Sequence, residues 1–341
     1  MHKILIVGPS WVGDMVMSHS LIITLKQLHP DAEIDVLAPA WSKPIINRMP
    51  EVGQAIEMPI GHGSAAFKER RGIGKALRQK NYTWSIVLPN SWKSALIPWF
   101  ANIPRRTGWK GEMRYGLIND LRHLDKQALP KTVQLFVSLA YDAAESKSGR
   151  VLNLDSIPKP SLQASHKRQQ QLIEKFQLLA EERLLVLCPG AEFGPAKQWP
   201  SHYYRSIAEK KSAEGWQVWV LGSDGDREFA DEVCGTSNNS ITNLCGKTTL
   251  DEAIDLMSLA KIVISNDSGL MHIASALNMP LVALYGATSP DFTPPLADNA
   301  EVLSVEVDCG PCFKRECPMG HHKCMMELTP KKVDAVIHSL S

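Results

Sequence analysis

The chain reads as an α/β protein of two domains, each a parallel sheet covered by helices, and three observations carry that expectation. Its 341 residues are long for one core and suit two domains of ordinary size. A short apolar strand opens each half, at residues 3–7 and 184–187, and each runs into a loop bearing glycine and proline. Between the halves, residues 151–167 lose periodicity and hold Pro158, Pro160 and several serines, the composition of a linker. The expected boundary gives an N-terminal domain over 1–165 and a C-terminal domain over 166–341. The second should close with an amphipathic helix at about 328–341, with Thr329 as N-cap and Pro330 at its first position.

The stretch 265–285, SNDSGLMHIASALNMPLVALY, shows the repeating unit most clearly. Ile262, Val263 and Ile264 form a buried strand, and Ser265 to Gly269 a polar turn. Leu270, Ile273, Ala274 and Leu277 then fall on one helical face. Asn278 and Pro280 stop that helix before a second buried strand at 281–284. Strand, turn, helix and strand in this order make a parallel sheet, whose ligands sit beyond the carboxyl ends of the strands. Asp267 or Ser268 can cap the helix, and its first amides make an anion site. The same residues also suit a well-capped helix with no ligand.

Composition narrows the class. With 44% hydrophobic and 21% charged residues the protein is globular, and a net charge of +1 offers no global attraction for nucleic acid, so none is expected as a partner. No run of about 18 apolar residues is present to span a membrane. The apolar core of residues 1–7 is too short for a signal peptide, so the expected compartment is the cytoplasm.

In chain order, the first strand leads to Gly8-Pro9-Ser10-Trp11-Val12-Gly13-Asp14 and a Met-rich helical pattern through Leu28. The dinucleotide fingerprint fails here, because only Gly8 and Gly13 are present. The phosphate-cradling P-loop fails too, because Asp14 and Met15 stand where Lys and Ser or Thr are needed. The loop instead presents Asp14 near a helix N-terminus, where the dipole favours its ionised form. Asp14 is therefore either an ordinary first-turn residue or a general base, for instance toward a sugar hydroxyl. Residues 33–38 read as the second strand and 86–88 as a later one. Two basic stretches, 68–80 with Arg70 and Arg71 and 105–115 with Arg106 and Arg114, suit an anionic partner with phosphates or carboxylates. They could equally be solvated faces.

In the second half a helical stretch runs through Ala180. The strand at 184–187 then ends in CPGAEFGPAKQWP, a rigid loop with Gly190, Ala191 and Glu192 that carries Lys197, a charge suited to pyrophosphate. The strand at 218–221 ends in Gly222-Ser223-Asp224-Gly225-Asp226, an Asp-x-Asp able to hold Mg²⁺, although Asp226 could instead start the helix over 227–233. Lys197, Asp224 and Asp267 thus lie at three strand ends, and a parallel sheet brings them to one edge. Cys309, Cys312, Cys317 and Cys324, with His321 and His322, could close a tetrahedral Zn²⁺ site or be reduced thiols in a loop.

These residues resemble a known family, the ADP-heptose:lipopolysaccharide heptosyltransferases of Gram-negative bacteria (glycosyltransferase family 9), over nearly the whole chain. The resemblance rests on GPSWVGDMVMS (8–18), APAW (38–41), RTGWKGEMRYGLIND (106–120), CPGAEFGPAKQWP (188–200) and NDSGLMHIASALNMPLVALYGATSPDFTPP (266–295). It implies the GT-B fold, two Rossmann-like doubly wound parallel-sheet domains facing a cleft, with the acceptor on the N-terminal domain and the ADP-sugar on the C-terminal one. It also implies inverting transfer of L-glycero-D-manno-heptose from ADP-heptose to the first heptose of the inner core, with no obligatory cofactor or metal. The acceptor would be heptosyl-Kdo2-lipid A, which implies peripheral contact with the inner face of the cytoplasmic membrane.

Residue by residue, the resemblance makes Asp14 the base and Lys197 the group that neutralises the donor pyrophosphate. Gly190, Ala191, Glu192, Gly222, Ser223, Asp224, Asp267, Ser268, Gly269 and His272 fall on the donor side. Within that set the amides of Ser268 and Gly269 should face phosphate, and Asp267 the sugar hydroxyls. Ser10, Trp11, Gly13, Arg70, Arg71, Arg106 and Arg114 fall on the acceptor side. The cysteine-rich segment matches the family least. Two alternatives stand beside this reading: a sugar-nucleotide 2-epimerase on the same scaffold, and a non-catalytic, zinc-stabilised binding protein for anionic lipid.

Overall fold

The computed structural model describes residues 2–61, 63–143, 153–179, 183–235 and 240–340. By contact density it divides into two compact units, Met1–Pro160 and Ser161–Ser341. Residues 151 and 152 of the expected linker lie outside the described residues, as does Ala180.

Each unit holds one six-stranded sheet. The first is ordered β3-β2-β1-β4-β5-β6, from Gln54–Glu57, Glu33–Ala38, Lys3–Val7, Trp84–Val87, Arg105–Trp109 and Asp120–Arg122. The second is ordered β12-β11-β10-β7-β8-β9, from Ala300–Ser304, Leu281–Tyr285, Ile262–Asn266, Leu184–Cys188, Gln217–Val220 and Ile241–Asn243. Every pairing is parallel. Counted from each unit's first strand, both sheets share the doubly wound order 3-2-1-4-5-6. The strand order reverses between β1 and β4 in one unit and between β7 and β10 in the other, and such a point is where this fold places ligands.

The central strands are continuous apolar runs because helices cover both faces of a parallel sheet. Ile4 to Ile6 and Leu184 to Cys188 are wholly buried. In the second unit Leu185, Leu187, Ile262 and Ile264 pack with Trp199, Tyr204 and Ile337 in one cluster, so the terminal helix Pro330–Leu340 joins that core.

The structure places the two basic stretches differently. Residues 105–109 are β5, an internal strand paired with β4 and β6. Arg105 lies over the Trp84 ring, 4.2 Å from its centroid, and pairs with Asp120 and Asp142. Residues 67–77 are a helix, and Arg70 on it is buried.

Candidate functional site

Strand β7 ends at Cys188, and the loop that follows closes with a 3-10 turn, Pro195–Lys197. Two features hold this loop. Asn266, the last residue of β10, is fully buried; its Nδ2 donates to the Pro189 carbonyl (2.7 Å) and its Oδ1 accepts from the Trp199 amide (3.2 Å) and the Tyr204 hydroxyl (3.0 Å). Behind the loop, the Ala196 amide donates to the Arg315 carbonyl at 3.0 Å, and Gly194 sits so close to the Arg315 backbone that a Cβ would collide with it. The cysteine-rich segment therefore braces the loop that carries Lys197.

Lys197 Nζ lies 2.7 Å from Asp267 Oδ2 and 3.3 Å from the Asp267 carbonyl oxygen. Thr288 Oγ1 donates to the same Oδ2 at 2.6 Å. Both members of the pair are largely shielded, with side-chain exposures of 14% and 5%. Asp267 precedes the helix Gly269–Ala276, whose N-cap residue, Ser268, makes no side-chain capping bond. Ser268 Oγ instead lies 3.2 Å from Ser265 Oγ, and the Asp267 carboxylate turns to Lys197 and Thr288. The expected side-chain cap is absent, so the first-turn amides, which have no intrahelical partner, stay available to an anion. His272, on the same helix, is buried; burial pushes its pKa down to about 4, opposed by Asp267 and aided by Lys197. It is neutral near pH 7.

At the end of β8 the two aspartates diverge. Asp226 Oδ2 accepts from the Ser223 amide (2.8 Å) and hydroxyl (2.7 Å), and Gly190 and Gly222 both lie against that carboxylate. A Cβ at Gly190 would stand 2.7 Å from Oδ2. Asp224 is 79% exposed and pairs with Arg227 at 2.6 Å. Asp226 thus organises the turn while Asp224 points outward, which does not fit a shared divalent cation. Ala191 is partly buried and Glu192 exposed.

In the first unit, Trp11 is the N-cap residue of the helix Val12–Leu28 and Asp14 lies in its first turn, partly buried, just past the carboxyl end of β1. Gly13 is partly buried, and Ser10 and Trp11 are exposed. Three arginines expected on the acceptor side have another occupation. Arg114 is buried, donates to the carbonyls of Trp109 and Pro89, and is pushed down to about 10 by burial. Arg70 donates to the carbonyls of Ala65 and Ser64. Arg106 donates to those of Leu117, Ile103 and Gly116. Each guanidinium clamps loop carbonyls within its own unit, whereas Arg71 on the helix is exposed.

Cys309, Cys312, Cys317 and Cys324 line one small cavity together with His321 and His322. Cys309 Sγ lies 4.0 Å from His321 Nε2. Among the described residues, though, the one trio of metal-capable side chains gathered within 4.8 Å is Glu214, Asp334 and His338. Lys210 and Lys211 pair with Asp334 in that trio. Sequence reasoning gave neither Asn266 nor Thr288 a role, although both lie within the stretch 266–295 on which the resemblance rests.

Two doubly wound units, one with an uncapped helix N-terminus and a lysine at its switch point, define the GT-B class of nucleotide-sugar-dependent transferases. The chain belongs to glycosyltransferase family 9, the heptosyltransferases, whose family model matches residues 70–323. It is 48% identical to lipopolysaccharide heptosyltransferase 2 of Salmonella typhimurium, over 99% of this chain and 98% of that one. It is 47% identical to the Escherichia coli heptosyltransferase 2, again over 99% and 98%. The solved structure of E. coli ADP-heptose heptosyltransferase II superposes with a TM-score of 0.88 at 46% identity, covering 99% of this chain and 98% of that chain. Neither the epimerase nor the non-catalytic reading finds support among these relatives.

Proposed function

We propose that this enzyme transfers L-glycero-D-manno-heptose from ADP-heptose to the first heptose of the lipopolysaccharide inner core, with inversion. The observation that carries the reading is the end-to-end match to heptosyltransferase 2 proteins, whose names state the activity. The first unit takes the acceptor, and the second takes the donor.

Asp14 removes the proton of the acceptor hydroxyl as its oxygen bonds to the anomeric carbon. The bond from that carbon to the β-phosphate oxygen breaks, and its electron pair leaves with ADP. Lys197 and the first-turn amides at Ser268 and Gly269 meet the negative charge that grows on the pyrophosphate. Asp267 is already compensated by Lys197 and Thr288, so it can sit beside the donor without an unpaired charge repelling it. The acceptor is lipid-linked, which places the enzyme at the inner face of the cytoplasmic membrane, in peripheral contact. Among the described residues no helix is long and apolar enough to cross a membrane.

A second reading concerns the cysteines. Four thiols and two imidazoles around one cavity suit Zn²⁺, which would cross-link the segment that braces the Lys197 loop and take no part in the chemistry. Metal analysis of the purified protein decides it: one zinc per chain supports the site, and none overturns it.

Product analysis by mass spectrometry tests the main proposal. One heptose should be added to a core acceptor that already bears a heptose, and none to an acceptor that lacks one. Equal transfer to both would refute the assigned acceptor.

A further inference from the structure

The cysteine-rich segment is fastened to two loops of the second unit at once. The Arg315 carbonyl accepts from the Ala196 amide at 3.0 Å, on the loop that carries Lys197. Two residues earlier, the Phe313 amide donates to the Ala287 carbonyl at 2.8 Å, beside Thr288. The Phe313 ring also meets the Phe292 ring edge-on, with centroids 6.3 Å apart. Gly194 is where the Lys197 loop and the segment touch: a Cβ there would collide with the carbonyl oxygen and Cα of Arg315, so a larger residue would push Arg315 away. The backbone of Arg315 is thus fixed against both loops that hold Asp267 in its contacts with Lys197 and Thr288.

The side chain that this backbone carries is exposed and lies over an aromatic ring. Arg315 Cζ stands 5.6 Å from the centroid of Phe193, and Lys197 Nζ stands 5.0 Å from the same centroid. Both distances are within reach of a cation–π contact, so one ring holds both cations in the same part of the site. The two differ in what else they touch. Lys197 is neutralised by Asp267 at 2.7 Å. Among the described residues the Arg315 guanidinium has no carboxylate or carbonyl partner, unlike those of Arg70, Arg106 and Arg114. The charge balance around Lys197 is therefore incomplete for a diphosphate. The Lys197–Asp267 pair is neutral as a unit, and His272, whose pKa burial pushes down to about 4, adds no charge near pH 7.

We infer that Arg315 is a second cation of the donor site, reaching the diphosphate of the nucleotide sugar beside Lys197 and supplying the net positive charge that the Lys197–Asp267 pair lacks. Its planar fork matches two phosphate oxygens, where Lys197 offers a point charge. Negative charge grows on the diphosphate as the bond to the sugar breaks, so an uncompensated cation there acts on the transition state more than on the bound donor. The Phe193 ring limits where the guanidinium can go, which lowers the cost of ordering it on binding. The cysteine-rich segment then has a task in the reaction beyond bracing a loop: it delivers Arg315. The inference rests on the donor side proposed above for the second unit.

The test uses the full-length protein, with ADP as the probe and calorimetry as the measurement. Arg315→Gln should weaken ADP binding by about tenfold, the usual cost of one charged hydrogen-bonding partner, and should flatten the dependence of that affinity on salt. Adenosine, which has no phosphate, should bind variant and wild type alike. Arg315→Lys should recover part of the lost affinity, because it restores the charge without the fork. Both variants should melt within about a degree or two of wild type, since the side chain is exposed. In turnover Arg315→Gln should lower kcat and leave the acceptor KM unchanged. Unchanged ADP affinity and salt dependence in Arg315→Gln would overturn the inference, as would a loss confined to the acceptor KM. A loss of ADP affinity that comes with a lower melting temperature and is not recovered by Arg315→Lys would also overturn it, making the residue a brace alone. A wild type that fails to bind ADP would overturn the proposed donor side itself, so the two failures are read separately.

Discussion

Lys197 and Asp267, 70 residues apart in the chain, meet at 2.7 Å where the carboxyl ends of β7 and β10 lie side by side. A shielded pair of this kind is costly to break from one side only, because the remaining charge is left without its partner. Lys197→Met should therefore destabilise the protein by about 3 kcal/mol, and the double variant Lys197→Met, Asp267→Asn should recover most of that loss. Denaturant unfolding of the four members of the cycle measures it. Independent, additive losses would mean that the contact carries no coupling. In turnover, Lys197→Met should lose about 10²–10³ in kcat, the usual cost of one transition-state charge contact.

His272 sets a pH limit on stability. Its folded pKa of about 4 lies below the ordinary histidine value of 6.5, so the unfolded chain binds the extra proton first. Its contribution is complete above about pH 6.5 and falls as the pH drops toward 4, by on the order of 3 kcal/mol in all. His272→Gln should flatten that segment of the stability profile. Parallel profiles for variant and wild type between pH 7 and 4 (about the window set by the two pKa values) would show that another group controls it.

Arg114 and Arg71 should separate cleanly. Arg114→Met removes a buried guanidinium from several carbonyl oxygens and should cost about 3 kcal/mol of stability. Arg71→Ala, at an exposed site, should leave the melting temperature within about a degree or two, the small effect usual for surface changes. If Arg71 meets acceptor phosphates, that variant should raise the acceptor KM and weaken its salt dependence. An unchanged KM removes Arg71 from the acceptor side.

Asn266→Leu should destabilise the second unit by about 2–3 kcal/mol, since the Pro189 carbonyl, the Trp199 amide and the Tyr204 hydroxyl all lose their partner. The accompanying readout is donor affinity, which should fall as the Lys197 loop loosens. A stable variant with normal donor binding would show that the loop is held by the Arg315 side alone.

Much of the fold was legible because parallel-sheet interiors are written as unbroken apolar runs. Residues 3–7 and 33–38 read as strands and are β1 and β2, and the start at Leu184 marked β7. β5 was missed because its arginines look like surface charge, yet one stacks on Trp84 and another caps carbonyls. Strands β3 and β12 lie at sheet edges, where half-exposed residues leave no apolar run to read. At the site, topology brought Lys197 and Asp267 to neighbouring strand ends. That they bond to each other, that Thr288 joins them and that Asn266 locks the loop depends on side-chain packing between distant segments. No local pattern encodes such packing.

The measurement that tests the central claim most directly is ADP release from ADP-heptose by wild type and Asp14→Asn, with and without a core acceptor bearing one heptose. Release should depend on the acceptor and fall by about 10²–10⁴ in Asp14→Asn, the range expected for loss of a general base, with donor affinity unchanged. Release that ignores the acceptor, or an Asp14→Asn variant as fast as wild type, would contradict the transfer mechanism and its base.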